Sequence, residues 1–283
     1  MVRRILREAG LVVAVATLIA ACSGSNSPFP DNAFALQAAS DIGVGAGRVL
    51  IGIGDETGAR LGAPDEPVTI EVHPESDPSA TQQAVGEWTW IVPNATGLYR
   101  ATFEFDRSGI WVANVTPDGG DTLDPVLFSV VDNPLAPALG EPAPAAPTPT
   151  LDDLPLEELT TDPDPDPTLY ALALPEALGN GRPTVVVFST PAYCQTAACG
   201  PLLDEVKRLA PNHPGVDFIH VEVFTGLTDP DFAPDANHLA PSVGLDWFAL
   251  PSEPWVFAMD ADGIVIGRFE GVMDPSELEA ILP

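Results

Sequence analysis

Positive charge is what this chain has least of. Its 283 residues carry 11 Lys and Arg against 41 Asp and Glu, a formal charge of −30, and Lys207 is the only lysine. A surface this acidic is repelled by nucleic-acid phosphate and by anionic lipid, which excludes both as electrostatic partners. Cysteine is scarce too, at three residues, so a disulfide-dense secreted scaffold is excluded. Over 34–133 there is no cysteine and a single histidine, which argues against a copper or zinc site in that stretch. No long hydrophobic run is present either. The best, Ala9 to Ala20, is about 12 residues, too short to cross a bilayer core of roughly 30 Å.

Proline and short β-rich runs are what the chain has instead. At its start, Arg3, Arg4 and Arg7 precede the apolar stretch, and small residues then lead to Cys22, the pattern of a secretory leader over 1–21. Ile19-Ala20-Ala21-Cys22 resembles the bacterial lipobox. That resemblance implies a diacylglyceryl anchor on the Cys22 sulfur, a cell-membrane location facing the extracytoplasmic side, and residues 22–33 as a tether. Two or three acyl chains would hold the protein firmly, where one would be reversible.

From 34 to 133, runs such as "PVTIEVHP", "GLYRATFEF" and "GIWVANV" are rich in β-branched and aromatic residues and are separated by Gly, Pro and Asp. Tyr99 to Phe105 alternates apolar with polar, and Asp106-Arg107-Ser108-Gly109 turns into Ile110-Trp111-Val112. Six or seven such strands predict an antiparallel sandwich, which resembles a bacterial immunoglobulin-like module. His73 and the Trp88/Trp90 pair are its only candidate functional side chains, and a single apolar face explains the tryptophans. Residues 134–168 are Pro- and Asp-rich, with "PLAPALGEPAPAAPTPT" and "TTDPDPDPT", and read as an extended spacer holding two domains apart.

Residues 169–283 alternate helix and strand signals. A helix is expected over 172–178, a buried strand over 184–188, and a helix over 201–210 with Leu202, Leu203, Val206 and Leu209 at helical spacing. A strand follows over 216–224, then an irregular or helical stretch to Trp247, a hairpin turning at Asp260 to Gly263, and a last helix capped by Asp274 with Pro275 at its first position. "RPTVVVFSTPAYC", "CGPLLDEV" and "EPWVFAMDADGIVIGRFEG" together resemble the thioredoxin-like superfamily, most nearly its TlpA-like extracytoplasmic oxidoreductases. The resemblance implies an α/β thioredoxin-like fold after the sandwich, a cis bond to Pro254, Cys194 as nucleophile and Cys199 as resolving cysteine. It further implies a substrate groove flanked by Tyr193, Glu253 and Trp255, partner protein dithiols or disulfides, and neither cofactor nor metal.

The four-residue spacing of Cys194 and Cys199 matches peroxiredoxin Q proteins instead, but the threonine of their motif is replaced here by Pro191. Where thioredoxins bury an acid, six residues before the first cysteine, this chain has Phe188. On a regular helix, residues five apart have Cα atoms roughly 8.6 Å apart, beyond the span of a disulfide. The segment must therefore leave helical geometry when oxidised, by a helix starting at Gly200-Pro201 or by local unwinding. Either arrangement sets the pair beside a helix N-terminus, where N–H groups stabilise a thiolate. The competing class is a non-catalytic envelope lipoprotein with a structural disulfide. A thiol peroxidase, or a copper chaperone using His220 or His238, stands further off.

Overall fold

A computed structural model describes residues 27–283; the leader and Cys22 lie outside the described residues. Nine strands come before any helix: β1 (Ala33–Gln37), β2 (Ile42–Gly43), β3 (Gly45–Asp55), β4 (Arg60–Leu61), β5 (Val68–Pro74), β6 (Gln82–Val92), β7 (Thr96–Phe105), β8 (Gly109–Pro117) and β9 (Val126–Val131). Alternation dictates which face each strand buries. Val68, Ile70 and Val72 of β5, Ala101, Phe103 and Phe105 of β7, and Trp111, Ala113 and Val115 of β8 all point into one shared core.

These strands form one sheet in the order β1-β3-β7-β6-β5-β8-β9-β2, with β4 added to β3. The sheet curls over its core because β6 serves both layers: Gln82 to Gly86 pair with β5, and Glu87 to Val92 pair with β7. Gly86 sits at the crossover, where a Cβ would lie 2.8 Å from Val68 Cγ2 and 3.0 Å from the Tyr99 Cβ, so only glycine lets the layers meet there.

The C-terminal half contains α1 (Leu156–Leu159), α2 (Leu174–Gly179), β10 (Thr184–Ser189), α3 (Cys199–Leu209), β11 (Asp217–Glu222), β12 (Trp255–Met259), β13 (Val265–Glu270) and α4 (Pro275–Glu279). Its sheet runs β11-β10-β12-β13, with β10 parallel to β11 and antiparallel to β12. β10 is buried along its whole length, as its unbroken apolar run requires. Leu202, Leu203, Val206 and Leu209 of α3 cover one face; Phe248, Leu174 and Ala177 cover the other.

The expected fold class, an immunoglobulin-like sandwich followed by an α/β thioredoxin-like domain, is overturned. The chain is mostly β, its first nine strands belong to one curled sheet rather than two, and the described residues contain only four helices. Three of these have six residues or fewer. Proline is the physical reason. Between β11 and β12 the chain carries Pro230, Pro234 and Pro241, each of which lacks an N–H donor, and the only helical element there is a 3-10 turn over Pro241–Val243.

The spacer expectation fails as well. Ala136, Ala146 and Thr148 are buried. The Gly140 N–H donates to the Val265 carbonyl and the Ala143 N–H to the Gly263 carbonyl, each at 2.9 Å, so this segment covers the outer edge of β13. Lys207 ties Asp162 to α3 at 2.7 Å. The two halves are fastened directly to each other: Arg268 pairs with Asp41 at 2.7 Å, Arg48 with Glu277 at 2.9 Å, and the Ser40 N–H donates to Glu270 at 2.8 Å. Leu50 and Leu98 of the first sheet pack on Val272 of the second half.

Candidate functional site

β10 delivers the chain to a turn in which the Tyr193 N–H donates to the Thr190 carbonyl, and Cys194 follows. Cys194 and Cys199 form a disulfide with Cα atoms 5.9 Å apart, inside the range such a bond allows. The loop reaches that distance because the helix begins only at Cys199 and because Ala197 adopts φ 61°, a left-handed conformation unusual for a residue with a Cβ. Pro201 is thus the third helical residue rather than the first.

The two sulfurs have different environments. Cys199 is fully buried, while Cys194 is partly exposed. The Cys199 N–H donates to Cys194 Sγ at 3.2 Å, and Thr196 Oγ1 lies 3.4 Å from the same sulfur. A partial positive charge at the start of α3 therefore faces the accessible sulfur, the arrangement that favours a thiolate over a thiol.

Glu253 and Pro254 come from the loop preceding β12, joined by a cis peptide bond. Glu253 borders a cleft of about 560 Å³ together with Thr196 and Ala198 of the cysteine loop. Its Oε2 is buried without a hydrogen-bond partner. Burial, with a smaller contribution from the charge of Glu222, pushes the Glu253 carboxyl up to about 7. Glu222 is a second, buried acid, close enough for its charge to act on Glu253. It lies across the parallel ladder from Ser189, at the end of β11, where Thr161 donates both its N–H and its hydroxyl to Oε2 at 2.8 Å. Burial raises its carboxyl despite those bonds. Only its position between the apolar Val221 and Val223 hints at burial in the sequence.

The remaining expected groove residues lie elsewhere. Trp255 is buried, stacks on Phe257 at 5.4 Å, donates its indole N–H to Ser252 Oγ at 3.2 Å and carries Arg268 over its ring. Tyr193 is 38 % exposed and packs against Phe232 and Phe224 without bordering the cleft. His220, one of the two histidines considered for a copper site, is buried: Tyr170 Oη lies 2.6 Å from Nδ1, and Ser189 Oγ lies 2.9 Å from Nε2. Burial lowers its pKa to about 4, so it is a neutral core residue. His238 rests on Phe232, and His73 Nδ1 lies 2.9 Å from the Pro74 carbonyl on the distant β5. Trp88 packs against Tyr99 at the margin of the first core, with Trp90 edge-on beside it. Among the described residues, no group of three His, Cys, Asp or Glu side chains is arranged to hold a metal ion.

Comparison with known protein families finds no matching family model, and comparison with curated proteins finds no match.

Proposed function

We propose that this protein is a membrane-anchored extracytoplasmic thiol-disulfide oxidoreductase that exchanges the Cys194–Cys199 disulfide with disulfides or dithiols of partner proteins. The observation that carries the reading is the asymmetry of the pair: an accessible Cys194 that accepts an N–H bond at a helix start, and a buried Cys199 behind it. In the reducing direction, the Cys194 thiolate attacks one sulfur of a partner disulfide, and the other partner sulfur leaves as a thiolate. The Cys199 thiolate then attacks Cys194 Sγ, which re-forms the disulfide and expels the partner's remaining sulfur as a second thiolate. The partner gains two electrons and the Cys194–Cys199 pair loses them. Membrane attachment is supported by the leader and the lipobox-like Ile19 to Cys22.

The deciding experiment equilibrates the full soluble chain with graded glutathione and dithiothreitol buffers and counts trapped thiols. A reduction potential between about −120 and −270 mV marks an exchanging centre. A pair that stays oxidised below about −300 mV is a structural staple, and the protein is then a non-catalytic envelope module.

A further inference from the structure

The outer face of the curled sheet is apolar where it ought to be polar. On a half-solvated antiparallel sheet, side chains alternate between core and water. Ala35, Val49, Ile51 and Tyr99 point inward as required. Their outward neighbours Leu36, Leu50 and Leu98 carry no polar group; Val272 covers Leu50 and Leu98, whereas Leu36 is 55 % exposed. Gly52 and Gly54 follow Leu50 along the same face, leaving it hollow, and a Cβ built on Gly52 meets nothing within 4 Å. This hollow is the floor of the cleft whose opposite wall is formed by Thr196 and Ala198 of the cysteine loop and by Glu253; neither cysteine borders it, and Thr196 Oγ1 lies 3.4 Å from Cys194 Sγ.

We propose that this floor binds the client: the cleft takes an extended, apolar, uncharged or basic polypeptide segment next to the client's cysteine and presents that cysteine to Cys194. The proposal rests on the exchange reading above. Three observations select a polypeptide over other occupants. Glu253 Oε2, on the wall opposite the floor, is buried with no hydrogen-bond partner. Peptide groups supply the N–H or C=O that such an orphaned atom lacks. The floor offers shape and apolar area but no specific polar pattern, which suits varied side chains on a common backbone. A formal charge of −30, with Asp55 and Glu270 against the single Arg60 at the cleft itself, disfavours an acidic segment.

Gly52→Phe is the test, because a Cβ there meets nothing within 4 Å and the new side chain projects into the hollow. Leu36→Glu is the second variant: its side chain is exposed, so the fold does not depend on it. Two probes are used with the full soluble chain. One is a short fluorescent peptide of leucine and lysine with a central serine in place of cysteine, followed by anisotropy; the other is glutathione disulfide, followed by exchange rate. The expected result is at least a tenfold weaker affinity for the peptide in both variants, with the glutathione rate within twofold of the parent. Equal peptide affinity in parent and Gly52→Phe overturns the proposal. So does a self-associating parent that both variants render monomeric, since a second copy is then the occupant. If the parent binds the peptide in a Gly52-dependent way but never exchanges with glutathione, the cleft stands and the oxidoreductase reading falls.

Discussion

At the scale of single residues, Glu253 is the group whose charge state the fold alters most usefully. Its carboxyl titrates near 7 in the folded chain against an ordinary value of 4.5, so between those values the native state holds a proton that the unfolded state has released. Stability therefore falls as pH rises through that window, and Glu222, raised in the same direction, adds to the fall. Glu253→Gln should gain about 1 kcal/mol over the parent at pH 8, the full shift being reduced for a partly exposed group, and nothing at pH 4. Urea midpoints at the two pH values measure this; equal gains at both would show that packing, and not the charge, sets the effect. His220 works in the opposite sense. Its depressed pKa means that the unfolded chain takes up a proton as pH drops from 6.5 towards 4, so stability is lost on the acid side.

At the scale of elements, α4 illustrates how little local propensity matters beside a buried partner. Asp274 Oδ1 accepts the Ser276 N–H at 3.0 Å while Glu277 Oε2 accepts the Asp274 N–H at 2.9 Å, a reciprocal cap on a helix of only five residues. Asp274→Ala should cost about 1 kcal/mol, the ordinary value of a cap. Glu277 also holds Arg48 through two bonds at 2.9 and 3.0 Å and lies 3.4 Å from Arg100. Glu277→Ala should cost about 3 kcal/mol, because it leaves a buried guanidinium unpaired. Chemical denaturation of the two variants gives the ranking, and a Glu277 loss no larger than that of Asp274 would show that the Arg48 pair contributes nothing net. α3 differs from α4 in drawing its stability from four buried apolar side chains, an amphipathic stripe that the spacing of Leu202, Leu203, Val206 and Leu209 makes visible in advance.

At the scale of the molecule, the first sheet and the C-terminal half share ion pairs, a small apolar cluster and the cleft. Residues 134–283 expressed alone would expose Val272 and leave Arg268 and Glu270 without Asp41 and Ser40. The full chain should melt in one calorimetric transition with matching van't Hoff and calorimetric enthalpies, and the isolated C-terminal piece should lose cooperative melting. Two resolved transitions, or a C-terminal piece that melts as it does in the full chain, would show that the contacts between the halves are incidental. The same unity explains why exchange and binding are measured on the full chain.

The amino-acid order alone determined the strands with period-two alternation, the buried run of β10, the apolar stripe of α3, the cap of α4 and the cysteine pair, since each depends on neighbours within a few positions. It did not determine the fold class. The proline-rich segment looks like a spacer by composition, yet its backbone N–H groups find partners on the edge of β13, and only the folded chain creates that edge. Glu222 and Glu253 are brought together by tertiary packing and not by spacing along the chain. The apolar floor opposite Thr196, Ala198 and Glu253 reads, in sequence, as ordinary strand with two glycines; it becomes a cleft only because the C-terminal half stands across from it. Short-range order was encoded by local periodicity, while the cleft depends on long-range packing that sets an otherwise unremarked face across from Thr196, Ala198 and Glu253.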